Sequence, residues 1–132
     1  MSFRTMQLQG MTIGDIESDG DTATLKIDHA IIIKNMDDAE QDTKWYGHGV
    51  LTVSDLAVDC DEFPAFPARV ATADIKDNQM TYRDEVVIPI HWHGNVGITL
   101  KFEGFDQPVR FVGEHMAFDV SGNEKYIEHI DK

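Results

Sequence analysis

His91 and His93, set one residue apart in the run Met80–Phe102, have the spacing in this chain best suited to chemistry. On a β-strand, residues i and i+2 point to the same face, so two imidazoles at this spacing can reach one metal ion. A third ligand from another strand, His115, Glu114 or His48, would complete a site for a divalent metal such as Zn, Fe, Mn or Ni. A second constellation is Glu114-His115 with Arg110, in the run Val109–Val120. If Glu114 shares the inward row of Val112, Met116, Phe118 and Val120, its buried carboxyl needs a partner and a shifted pKa, the setting of a general acid. The alternative is a strand that turns outward at that point. A third set is aromatic: Trp45, Tyr46 and Trp92 can line a barrel mouth that takes up a small ligand.

The two-histidine layout follows the logic of the cupin barrels, whose first motif adds a carboxylate a few residues after the pair. Here the first carboxylate after His93 is Glu103, with a turn between them. The chain departs from that pattern, and a cupin-like metal protein or metalloenzyme stands as an alternative reading only. Other chemistries fall away. Asp15-x-Glu17-x-Asp19-Gly20 imitates the start of an EF-hand loop, but Lys26 occupies the place of its bidentate glutamate. There is no phosphate-binding glycine loop, no G-x-G-x-x-G and no G-x-S-x-G. Cys60 lies among Asp59, Asp61 and Glu62, a field that disfavours its thiolate.

The surrounding chain has 132 residues, 42% of them hydrophobic, which suits one globular domain over 1–132 with a core of its own. The formal charge of −13 repels nucleic-acid phosphates and anionic headgroups, and no basic stripe offsets it. No apolar run is long enough for a membrane-spanning helix, so no membrane insertion is expected. The opening residues MSFRTMQLQG lack the apolar segment of a secretory signal, and a single cysteine rules out an internal disulfide. Together these predict a cytoplasmic protein with no required cofactor.

Alternating patterns then predict the elements. Thr22–Ile33 reads as a long strand with Ala23, Leu25, Ile27, His29, Ile31 and Ile33 on one face, which makes His29 a core or rim histidine. Thr43–Val58 is a second strand, and Gly47 and Gly49 around His48 mark a bulge or a close approach of other backbone. Asp59–Pro67 is a loop whose Phe63 and Phe66 plug the end of the core. Asp77-Asn78 is a hairpin turn that sets Ile75 opposite Met80. Burial decides the register around Gly94. A three-residue loop His93-Gly94-Asn95 pairs Trp92 with Val96 and Ile90 with Ile98, which puts Ile88, Ile90, Trp92, Val96, Ile98 and Leu100 on one face and both histidines at the rim. Ser121-x-x-Glu124 has the capping-box form, and Tyr126, Ile127 and Ile130 follow at helical spacing, which predicts one short C-terminal helix.

About eight strands with short turns give an antiparallel β-barrel or a two-sheet β-sandwich. The function expected is that of a non-catalytic binding or protein-interaction module, homo-oligomeric through exposed apolar side chains such as Val87 with Pro89 or Tyr46 with Val50. Metal binding by His91, His93, His48 and His115, and ligand binding by Trp45, Tyr46 and Trp92, are the alternatives.

Overall fold

The computed structural model describes residues 3–35, 41–122 and 124–131, with the side chains of 41 and 128–131 left aside. Among the described residues nine strands follow in order: β1 Phe3–Ser18, β2 Thr22–Asn35, β3 Gln41–Ser54, β4 Ala68–Asp77, β5 Met80–Arg83, β6 Glu85–Ile88, β7 Ile90–Phe102, β8 Val109–Val120 and β9 Lys125–Asp131. Six of them close an antiparallel barrel in the order β1-β2-β3-β8-β7-β4. The ring shuts where Thr12 and Ile13 of β1 meet Arg69 and Ala68 of β4. No helix long and apolar enough to cross a membrane occurs among the described residues.

The interior is wholly apolar. Met6, Leu8, Ile13, Leu25, Leu51, Ile75, Ile90, Ile98, Leu100 and Phe111 are among the buried side chains, and no polar or charged residue among those described is buried with them. Phe63 and Phe66 lean on this core from the loop after β3, at 6.2 Å from Phe111 and 6.3 Å from Phe102 respectively. The expected plug is therefore in place. Gly47 and Gly49 face inward as well. A Cβ on Gly49 would run into the Phe118 ring and the Asp119 carbonyl, so these glycines mark close approach of a neighbouring strand.

The inward row changes phase along several strands. On β1 it passes from Met6 and Leu8 to Met11 and Ile13 and then Ile16, and on β2 from Leu25 and Ile27 to Ala30 and Ile32. Breaks in the ladder accompany these slips, between Gln7 and Thr12 on β1 and between Ile27 and Ala30 on β2. Bulges of this kind add twist, which a small barrel needs in order to curl shut. They also overturn one expectation: His29, Ile31 and Ile33 do not continue the core row of Ala23, Leu25 and Ile27. His29 is exposed and lies against Tyr46, ring centroids 4.1 Å apart.

Two turn assignments also change. No hairpin forms at His93-Gly94-Asn95. β7 runs straight through and pairs with β8, and the ladder jumps from His93↔His115 to Val96↔Gly113. Gly94, at φ +109°, absorbs the extra residue in a conformation other residues rarely adopt. The facial assignment survives because an uninterrupted strand keeps Ile90, Val96, Ile98 and Leu100 on the same side as the loop would have. The β4–β5 turn is centred on Asn78-Gln79, so Ile75 faces Tyr82 and not Met80.

The predicted C-terminal helix does not occur among the described residues, and Lys125–Asp131 is a strand on the edge of β3. A capping box requires the glutamate to reach back to the first residue's N–H. That N–H, of Ser121, is instead donated to the His48 carbonyl at 2.8 Å, and Glu124 is drawn to Arg4 at 3.1 Å and Lys34 at 2.8 Å. Two cations held on β1 and β2 outbid a local cap.

Where β1 and β4 diverge beyond their short contact, β5 pairs with β4, β6 pairs with β1, and Asp84 sits at the fork. Its backbone N–H donates to the Ala73 carbonyl at 2.9 Å and its carbonyl accepts from Leu8 N–H at 2.8 Å. Its carboxylate accepts from Thr72 Oγ1 at 2.7 Å and Ala73 N–H at 2.9 Å, and its φ is +62°. Asp84→Ala leaves the Ala73 donor without that acceptor and places alanine in the left-handed region. The expected cost is about 2 kcal/mol, or roughly 6–10 °C in Tm. Thr72→Val removes one of these bonds and should cost about 1 kcal/mol. Thermal unfolding followed by circular dichroism measures both, and equal losses would mean that the carboxylate does not hold the fork.

Candidate functional site

The structure brings two of the four candidate metal ligands together. His93 on β7 and His115 on β8 are direct cross-strand partners, with ring centroids 4.9 Å apart and planes at 85°. Asp55, at φ 55° just past the end of β3, accepts from His115 Nδ1 at 2.7 Å. A carboxylate only accepts, so this bond puts the His115 proton on Nδ1 and leaves Nε2 as the basic nitrogen. His91 is exposed two positions back along β7, opposite Ala117. His48 is remote from both: the ladder sets Ser54 against His115, six residues or roughly 20 Å further along β3. Among the described residues no group of three His, Cys, Asp or Glu side chains could hold one metal ion.

The cause of this rim is the bulge. Glu114, opposite Gly94 and Asn95, and His115, opposite His93, are exposed in succession, and the inward row of β8 passes from Phe111 and Gly113 to Met116 and Phe118. Glu114 is thus a surface carboxylate where the strand turns outward, and not an inward acid. A shallow open hollow lies beside the histidines, lined by Asp55, Ala57, Gly94, Asn95, Glu114 and His115 among others.

The three aromatic candidates are not brought together. Trp45 and Tyr46 are neighbours on β3 and therefore face opposite ways. Trp45 lies at the far end of the inner surface, under Lys34 Nζ at 4.0 Å and against Tyr126 at 5.3 Å, with its indole N–H donated to Thr43. Trp92 is cross-strand to Met116, which pairs with Val53, so it lies eight residues or roughly 25 Å along the β3 direction from Trp45. It stacks on Tyr82 at 5.8 Å.

A feature that the alternation pattern hid is on the outer surface. The ladder aligns Glu85, Gln7, Ile31, Tyr46 and Lys125 in one row across β6-β1-β2-β3-β9, and Val87, Thr5, Ile33 and Lys44 in the next, which ends at Glu128 of β9, whose side chain is not among those described. Their neighbours along each strand, Met6, Ile32 and Val86, are buried, so both rows face outward. Val87 is 49% exposed, Tyr46 37%, and Phe3, further out along β1, 47%. In a chain with 24 Asp and Glu, the described side chains of these two rows include one carboxylate, Glu85.

Electrostatics elsewhere is local. Arg83 forks onto Asp74 at 2.8 and 3.2 Å, which lowers the Asp74 pKa and raises that of Arg83. Backbone N–H groups of Thr22 and Asp21 lower the pKa of Asp19 in the β1–β2 turn.

Comparison with protein-family models, with curated proteins and with solved structures finds no match to this chain.

The His115 geometry has a direct readout. Long-range proton–nitrogen spectra at neutral pH should show His115 as the Nδ1–H tautomer, and Asp55→Ala should return it to the Nε2–H form that free histidine prefers. An unchanged tautomer in Asp55→Ala would mean that the carboxylate does not set it.

Proposed function

We propose that this chain is a non-catalytic binding module whose ligand is a protein surface, taken up on the outward face of the β6-β1-β2-β3-β9 sheet. The observation that carries the reading is the outward apolar band of exposed Val87 and Tyr46 with half-buried Ile31 and Ile33, the last two turned out by the β2 bulge, and Phe3 beside it. The interior buries its apolar surface without this band, so folding alone gives no reason for it. Contiguous exposed apolar rows are where proteins bind one another. A photo-crosslinking residue placed at Val87 should form an adduct with the partner, and Tyr46→Lys should weaken that adduct several-fold. The same residue placed at Asp106, in an exposed loop, should form none. Equal adducts at both positions, or none at either, would overturn the reading.

A second reading, capture of a divalent transition metal, is supported by the His93–His115 pair. The Asp55 bond to His115 Nδ1 is the outer-sphere arrangement that orients a ligating imidazole. Two imidazoles leave the remaining positions on the metal to water or to a carboxylate that has moved, so the affinity expected is micromolar or weaker. Calorimetric titration of untagged protein with Zn²⁺ should then give about one site per chain, lost in a His93→Ala/His115→Ala variant and kept in His48→Ala. Binding that persists in the double variant would sink this reading.

A further inference from the structure

From the charge pattern of the outer face we infer that its occupant is a second copy of this chain, in a two-fold dimer whose axis runs parallel to the strands. The inference rests on the proposed protein-binding role of that face and names the partner. The row Glu85–Gln7–Ile31–Tyr46–Lys125 carries its acid at one edge, its base at the other and uncharged side chains between. Four strand spacings separate the two charges, roughly 19 Å. When two such sheets pack face to face about an axis along the strands, left and right edges exchange. Glu85 of one copy then stands over Lys125 of the other, twice per dimer, with Ile31, Tyr46 and Ile33 covered between. An axis across the strands would instead set Glu85 over Glu85 and Lys125 over Lys125, so charge selects the first arrangement.

The surrounding charge argues for the same occupant. Two copies carrying −13 each repel over most of their surface. Across these two rows that repulsion is relieved, since their described charged side chains are two lysines, Lys44 and Lys125, and one carboxylate, Glu85. A basic partner would be drawn to acid-rich surface, and the described side chains of these two rows offer one carboxylate, Glu85, at the edge. Phe3 lies next in line, and beyond it Asp42 accepts from Asn35 at 2.9 Å.

Sedimentation equilibrium of the whole chain between about 1 and 500 µM tests the inference. The wild type should move from the 14.9 kDa monomer toward the dimer within that range. Glu85→Lys lowers the net negative charge, so a non-specific account predicts tighter association, whereas the two-fold model places lysine over Lys125 and predicts about a tenfold weakening. Lys125→Glu should weaken the dimer similarly, and the double exchange Glu85→Lys/Lys125→Glu should restore it to within about twofold. Circular dichroism of each variant confirms that the fold is intact. A wild type that stays monomeric throughout, or a double exchange no better than the singles, overturns the dimer. If the monomer nevertheless gives a Val87 adduct with a different protein, the binding role survives and the second copy falls. A silent Val87 in a strict monomer removes both.

Discussion

The fork at Asp84 is the constraint on which the rest of the architecture depends. β1 is 16 residues long, but its pairing with β4 amounts to Thr12 with Arg69 and Ile13 with Ala68. Beyond that contact its edge would be bare, with N–H and C=O groups open to any other strand. The chain covers it by turning back at Asp84, which binds Ala73 of β4 and Leu8 of β1 with its own backbone, so that β6 takes over the edge as far as Arg4. This handover extends β1, β2 and β3 past the closed ring as a five-stranded wing with β6 at one edge and β9 at the other. The wing, and not the barrel, carries the outward apolar rows.

The ion cluster under the wing follows from the same geometry. Where the inward rows leave the closed barrel, Met6 and Ile32 give way to the half-buried Arg4 and Lys34. Their charges would be costly to leave unmatched there, and Glu124 supplies the match from the connection between β8 and β9. A sequence with a good helix signal at Ser121–Ile130 thus becomes a strand, because tertiary ion pairs and a vacant β3 edge outweigh a local preference worth a few tenths of a kcal/mol per residue. The acids themselves serve a parallel purpose. Asp19 accepts from the N–H groups of Asp21 and Thr22, Asp59 from Cys60, Asp119 from Val120 and Asp84 from Ala73. Much of the aspartate content finishes the ends and bends of strands.

What could be read from the residues was facial, and what could not was connective. Ile88, Ile90, Val96, Ile98 and Leu100 are inward as their alternation implies, although the strand makes no turn between them. Period-two patterning is the same for a hairpin with an odd loop and for an unbroken strand, so it fixes faces and leaves topology open. Bulges are the other blind spot. Ile27 and Ile31 share a parity, yet the slip at Asp28-His29 puts one in the core and the other outside. No residue type there announces it. Alternation also puts the histidines at the rim, but the pairing of His93 with His115 depends on β7 passing Gly94 and lying along β8, which no local pattern encodes.

The two candidate surfaces stand at opposite ends of β3, Tyr46 at one and Ser54 beside His115 at the other. They differ in what it takes to form them. The His93–His115–Asp55 chain is made of exposed polar groups at a strand irregularity, and water can satisfy each of its members, so its presence costs the fold little and argues little by itself. The outer rows are another matter. Val87, Ile31, Ile33 and Tyr46 are apolar groups facing outward, the two isoleucines by virtue of the β2 bulge, on a surface otherwise crowded with carboxylates that would serve solubility better. A structure whose core is complete without them keeps them at a standing risk of misassociation. That asymmetry is why the wing, and not the rim, carries the functional reading.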